Sequence, residues 1–242
     1  MKKSWICFAV LIVVIIGGIF TFKVVTHYDE KINSAEKFKK EYESLNGKTN
    51  EKNGKEYRTV SIDKENSFYY ISAEDLAKKI ENKETFAVYF GFKSCPWCRS
   101  IIEDLVLTSK NLGIARIYYV DVLDIRDTIS IDENGELKTT KEGSEGYKKL
   151  LTQLDSVLSD YTLTKESGEK VSTGEKRIYA PNIITVVKGE AKGLETGISD
   201  SQTDAYQEIT DEMHEETKTK FKSVLSLLLE DEGSSCENDT PC

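Results

Sequence analysis

Thr85-Phe86-Ala87-Val88-Tyr89-Phe90-Gly91-Phe92-Lys93-Ser94-Cys95-Pro96-Trp97-Cys98 joins a continuous apolar run to a Cys-x-x-Cys pair across a short turn. A run of this kind, from Thr85 to Phe90, predicts a central strand buried on both faces. The cysteine pair then opens a helix whose Ile101, Ile102, Leu105 and Val106 recur at helical spacing as far as about Lys110. Upstream, Phe68 to Ile71 predicts a short strand, and Ser72 caps a helix over Ala73 to Lys83 with Leu76, Ala77 and Ile80 on its inner face. Downstream, Ile114 to Val122 predicts another strand, Asn182–Lys188 and Lys192–Ile198 two more about a tight turn, and Ile209 to Leu228 a long C-terminal helix. Alternation of strands and helices in this order is an α/β sheet with parallel crossovers.

The segment from Leu123 to Lys176 interrupts that alternation as an insertion. It holds an Asn134-Gly135 turn and a helix expected near Ser144 to Asp160, with Tyr147, Leu150, Leu151, Leu154 and Leu158 on one side. Padding the sheet edge, covering the site and binding substrate are all open to it.

The chemistry of the pair follows from where it sits. A helix N-terminus presents unpaired N–H groups and a partial positive charge, which favour thiolate at Cys95. Lys93 and Arg99 are expected to add positive charge, and Pro96 suits the first turn because its missing N–H would have had no partner there. Cys98, one turn on, is placed to attack a mixed disulfide on Cys95 and release the product. The competing reading is half of a zinc site, which needs two more ligands. Cys236 and Cys242 are unusually spaced, and His27 and His214 stand far from each other in the chain, so no familiar second half is present. No metal or organic cofactor is therefore expected.

The 242 residues carry a formal charge of −9, which sets a low expectation for nucleic-acid binding. Mean hydropathy is −0.44, but Trp5 to Phe22 contains no charged residue and follows Met1-Lys2-Lys3. Extended through Lys23 to Val25, this block reaches the ~30 Å of a bilayer core as a helix. It is expected to be an uncleaved single-pass anchor, with residues 1–27 in and across the membrane and the bulk of the chain extracytoplasmic. Lysines after the span outnumber those before it, but long domains translocate largely regardless of charge. Cys7 is then a buried apolar residue. Residues 28–66 are expected as a stalk helix, with Ile32, Ala35, Phe38, Tyr42 and Leu45 on one face, followed by a linker or loose hairpin. A domain over 67–230 follows, and residues 231–242 form a polar tail whose Cys236 and Cys242 either pair with each other or exchange with the Cys95–Cys98 pair.

Phe90 to Cys98, together with Ala180-Pro181-Asn182 and the strand Ile183 to Gly189, resembles the thioredoxin superfamily in its membrane-anchored, extracytoplasmic thiol–disulfide oxidoreductase form. The resemblance spans about Phe68 to Leu229, and there is a narrower similarity to bacteriocin-transport accessory proteins, a bacterial thioredoxin-like group. It implies a thioredoxin-like fold, a central mixed sheet flanked by helices, with the insertion lying before the cis-proline strand. It implies Cys95 as nucleophile, Cys98 as resolving thiol, and Ala180 and Pro181 as the loop that faces the cysteines and pairs with substrate. Trp97 is expected in the apolar contact surface around them. Cysteine-containing exported proteins are the implied substrates, alongside a separate redox partner. The sequence departs from the family in three ways. Tyr89 stands where the family buries a carboxylate, the dipeptide is Pro-Trp as in the Pro-aromatic pair of glutaredoxins, and the insertion is long. A non-catalytic docking module of an export or envelope assembly is the alternative reading, and metal delivery by the cysteine pair a more distant one.

Overall fold

A computed structural model describes residues 33–234. The expected anchor Trp5–Val25 and the tail bearing Cys236 and Cys242 lie outside the described residues. Within them no helix is long and apolar enough to cross a membrane.

The centre is a five-stranded mixed sheet of β1 (Phe68–Tyr70), β2 (Phe86–Gly91), β3 (Ile117–Asp121), β8 (Asn182–Val187) and β9 (Glu190–Glu195). Its order is β1-β3-β2-β8-β9. β1 and β2 each pair parallel to β3, whereas β8 runs antiparallel to β2 and β9. All six residues of β2 are buried, as the apolar run requires. Ala87 and Tyr89 face one core, with helix α1 (residues 33–43), α3 (Pro96–Asn111) and α5 (Asp211–Ser234) on that side. Val88 and Phe90 face the other, with α2 (Ala73–Glu81) and α4 (Glu145–Gln153).

Ser72 caps α2 as expected, its side chain accepting from the Asp75 N–H. The α4 helix is packed so closely on α2 that a Cβ on Gly146 would lie 2.7 Å from the Glu74 backbone nitrogen.

The segment expected as a stalk and linker is part of this packing. Ala35, Phe38 and Tyr42 are 2%, 0% and 0% exposed, and Phe38 stacks on Phe68 with ring centroids 4.2 Å apart. Their three- and four-residue spacing is that of one helix face, and each aromatic so buried contributes about 1.5–3 kcal/mol relative to a solvated position. Such a face turns onto a sheet rather than into water. The chain then passes through a tight hairpin, where the Asn50 N–H donates to the Lys55 carbonyl at 2.8 Å, and lays Val60 and Ile62 into the same core. Asn46 holds that return, accepting from the Val60 N–H and donating to the Val60 carbonyl.

The insertion differs from expectation at its second half. α4 ends at Gln153, not near Asp160, and a single 3₁₀ turn at Asp155–Val157 leads into β6 (Ser159–Thr164), paired with β7 (Lys170–Arg177). The alternation in Ser159-Asp160-Tyr161-Thr162-Leu163-Thr164 and the Ser167-Gly168 turn suit a hairpin better than a further helical turn. An earlier hairpin, β4 (Thr128–Ile131) with β5 (Leu137–Lys141), turns through Asn134-Gly135 as expected. The two hairpins are bound together by a largely buried contact, in which Arg177 donates to the Asp127 carboxylate at 2.9 Å and to the Asp127 backbone carbonyl at 3.3 Å.

Candidate functional site

β2 ends at Gly91 and α3 begins at Pro96, so the cysteines lie at the C-terminal edge of the sheet's central strand. Antiparallel pairing of Phe90 with Asn182 brings the start of β8 to the same edge. Ala180 and Pro181, joined by a cis peptide bond, stand just before that strand and therefore beside the cysteines. The Cys95 thiol donates to the Ala180 carbonyl at 3.4 Å.

Cys95 is the N-cap of α3, with extended φ and ψ of −73° and 117°, and its sulfur accepts the Cys98 N–H at 3.2 Å. Its own N–H donates to the Phe92 carbonyl at 3.1 Å, which fixes the turn. Cys95 is 3% exposed and Cys98 fully buried. The Cys98 thiol lowers the Cys95 pKa by hydrogen bonding, burial opposes this, and the Cys98 and Trp97 N–H groups and the charge of Arg126 act with the thiol. The net direction is down. Cys98 moves the other way, held well above the usual thiol range first by burial and then by its neighbour Cys95. The pair is thus two buried thiols at the sheet edge whose pKa values are pushed apart, Cys95 toward the thiolate and Cys98 toward the protonated thiol.

Beneath Cys98 lies a pair of phenols. Tyr89 and Tyr42 share a hydrogen bond, hydroxyl to hydroxyl, of 3.1 Å, and the Tyr89 hydroxyl also interacts with the Cys98 thiol. Burial pushes both phenols well above their ordinary pKa, so they serve as hydrogen-bond partners and not as anionic bases.

The two cations expected to assist Cys95 are turned elsewhere. Lys93 is exposed, and the charge it faces is that of Asp121. Arg99 is 1% exposed and donates to the carbonyls of Arg58 at 2.7 Å, Tyr42 at 2.8 Å and Lys93 at 3.2 Å and to the Asn46 side-chain oxygen at 2.8 Å. A guanidinium one residue into the helix after Cys98 has its reach on the far side from the sulfur. It clips residues 42–58 to the turn before α3.

The cation that does face the cysteines is Arg126, in the loop after β3, which the sequence reading passes over. Flanked by Asp124 and Asp127, it has the look of a solvated charge, and no signal in one sequence distinguishes it. Its guanidinium instead lies over the Phe92 ring, 5.3 Å from the centroid.

Of the residues singled out in the sequence, Cys95, Cys98, Ala180 and Pro181 come together, and half-buried Trp97 packs on the same cluster with Phe92 and Ile198. This is an apolar rim around a polar pair of sulfurs. Among the described residues no group of three His, Cys, Asp or Glu side chains is arranged to hold a metal ion. No family model matches the sequence, and no curated protein matches it.

Proposed function

We propose that this chain is a thiol–disulfide oxidoreductase of thioredoxin-like build, anchored in the cell membrane through Trp5–Val25 and acting outside on cysteine-containing exported proteins. The observation that carries the reading is the position of Cys95. Its sulfur caps a helix N-terminus, touches the carbonyl preceding Pro181 and has a buried second thiol one turn away.

In the reducing direction the Cys95 thiolate attacks one sulfur of a substrate disulfide. That S–S bond breaks, its other sulfur leaves as a thiolate that takes a proton from water, and Cys95 is held in a mixed disulfide. Cys98 then loses its proton and attacks the Cys95 sulfur. The second substrate thiol departs, leaving a Cys95–Cys98 disulfide and a substrate reduced by two electrons. The reverse sequence oxidises a dithiol, and either direction needs a separate redox partner to reset the pair. Backbone pairing beside Ala180 and apolar contact with Trp97 and Phe92 would hold the substrate across the sulfurs.

Full-length protein carrying Cys98→Ala, incubated with a disulfide-bonded test peptide, should accumulate a covalent adduct that peptide mapping locates at Cys95. Wild type should release the peptide as free thiols, and Cys95→Ala should form no adduct near the site. Absence of any adduct at Cys95 would overturn the reading in favour of a docking scaffold.

A further inference from the structure

Arg126 is a cation without a carboxylate. Among the described residues it makes no ion pair, and its Nε is buried with no hydrogen-bond partner. The acid beside it, Asp127, is taken by Arg177, whose own guanidinium also covers the Tyr161 ring at 3.9 Å. Arg177 therefore pins the loop and leaves Arg126 uncompensated. The Arg126 guanidinium rests on Phe92, and the Phe92 carbonyl receives the Cys95 N–H. One aromatic residue thus separates an unpaired charge from the backbone that carries the candidate nucleophile.

We propose that Arg126 is the positioning cation of the site: its guanidinium is the counter-charge of Cys95 in the dithiol state and loses that partner when the disulfide forms. This inference rests on the thiol–disulfide reading for its purpose, although the electrostatics stand apart from turnover. The groups facing Cys95 are few. Among the described residues they are Cys98 from its own helix, Tyr89 from β2, Tyr42 from α1 and Arg126 from the loop after β3, while the turn before β8 offers the Ala180 carbonyl. Arg126 is faced in turn by Tyr147 of α4, by Arg177 of β7 and by the two cysteines. Arg126 is the one positive group in the first set. Repulsion from Arg177 and the cost of burial weigh against the charge of Arg126, and a neighbouring thiolate relieves both.

The insertion thereby acquires a role in the chemistry. By fastening two hairpins through Arg177 and Asp127, it delivers one charge to the cysteine edge of a sheet to which those hairpins do not belong.

The test is the pH profile of Cys95 alkylation by iodoacetamide in the reduced full-length protein, read at the Cys95 peptide. Arg126→Gln should move the midpoint upward by about one pH unit, the lower end of what a near opposite charge supplies. Alkylation at pH values below both midpoints should then slow about tenfold. Arg126→Lys, which keeps the charge, should recover most of the difference. Arg126→Met keeps the apolar stem and carries the same expectation should the Gln variant fold poorly. An unchanged midpoint in the neutral variants, or an equal shift in Lys and Gln, would overturn the proposal. Alkylation needs no disulfide exchange, so a Cys98→Ala variant that traps nothing would remove the proposed function while leaving this result to stand on its own.

Discussion

Tyr89 puts a phenol under the buried thiol at the position where the thioredoxin resemblance leads one to expect a carboxylate. A carboxylate could take the Cys98 proton; a buried phenol held above its ordinary pKa can only share a hydrogen with the sulfur. Its second partner is Tyr42, contributed by α1 from 47 positions earlier in the chain. Tyr89→Phe leaves the Tyr42 hydroxyl buried without a partner. It should lower the urea unfolding free energy of the reduced protein by about 1–2 kcal/mol, since an orphaned buried hydroxyl costs more than the net worth of the bond. Tyr42→Phe/Tyr89→Phe, which removes both, should recover part of that loss. A single variant as stable as wild type would mean that the phenol pair contributes nothing. The cysteines are legible in the sequence because Cys-x-x-Cys at a helix start is a local motif, whereas Ala180 and Pro181 are singled out only through the family resemblance. Tyr42 and Arg126 are not, because each matters through a neighbour that only the fold supplies.

Among the elements, β2 is the most legible, since a strand buried on both faces calls for a continuous apolar run, and β8 follows it with only Asn182 and Thr185 breaking such a run. β6 and β7 are the least legible. Their exposed, charge-rich faces carry weak alternation, and Leu154 and Leu158 fit a helical stripe equally well. The helix over residues 33–43 is legible as a helix but not in its destination, because an apolar stripe does not name the surface that will cover it. Arg99 records that destination, joining α3 to the end of α1, to Asn46 just after it and to the strand-like return at Arg58 through three hydrogen bonds, with a fourth to Lys93 in the turn before α3. A lysine cannot reproduce a planar fork of donors aimed at carbonyls in different directions. Arg99→Lys should therefore cost on the order of 3 kcal/mol, or ~10 °C in Tm for a domain of this size. Proteolysis should speed up first within residues 44–60, and a variant with wild-type Tm and protease resistance would refute the clip.

At the scale of the whole molecule, the protonation of the cysteine pair is linked to stability. Cys95 titrates below its ordinary value in the folded dithiol protein, chiefly because the Cys98 thiol hydrogen-bonds to it. A depressed folded pKa contributes stability that begins as pH rises through the folded value, is complete above the unfolded thiol value of ~8.5, and is lost again as pH falls. Cys98 has the opposite sign, and its contribution is lost only as pH rises beyond the ordinary thiol range. Between weak acid and pH 8 the first effect therefore governs. The Tm of the reduced protein should rise relative to that of reduced Cys95→Ser across this window, each pH unit of depression being worth about 1.4 kcal/mol at most. The disulfide form has no thiolate at Cys95, so its Tm relative to the same variant should stay flat. A reduced-state difference that is equally flat would place the Cys95 thiol at its ordinary value in the fold and take away the electrostatic basis for the nucleophile role proposed for it.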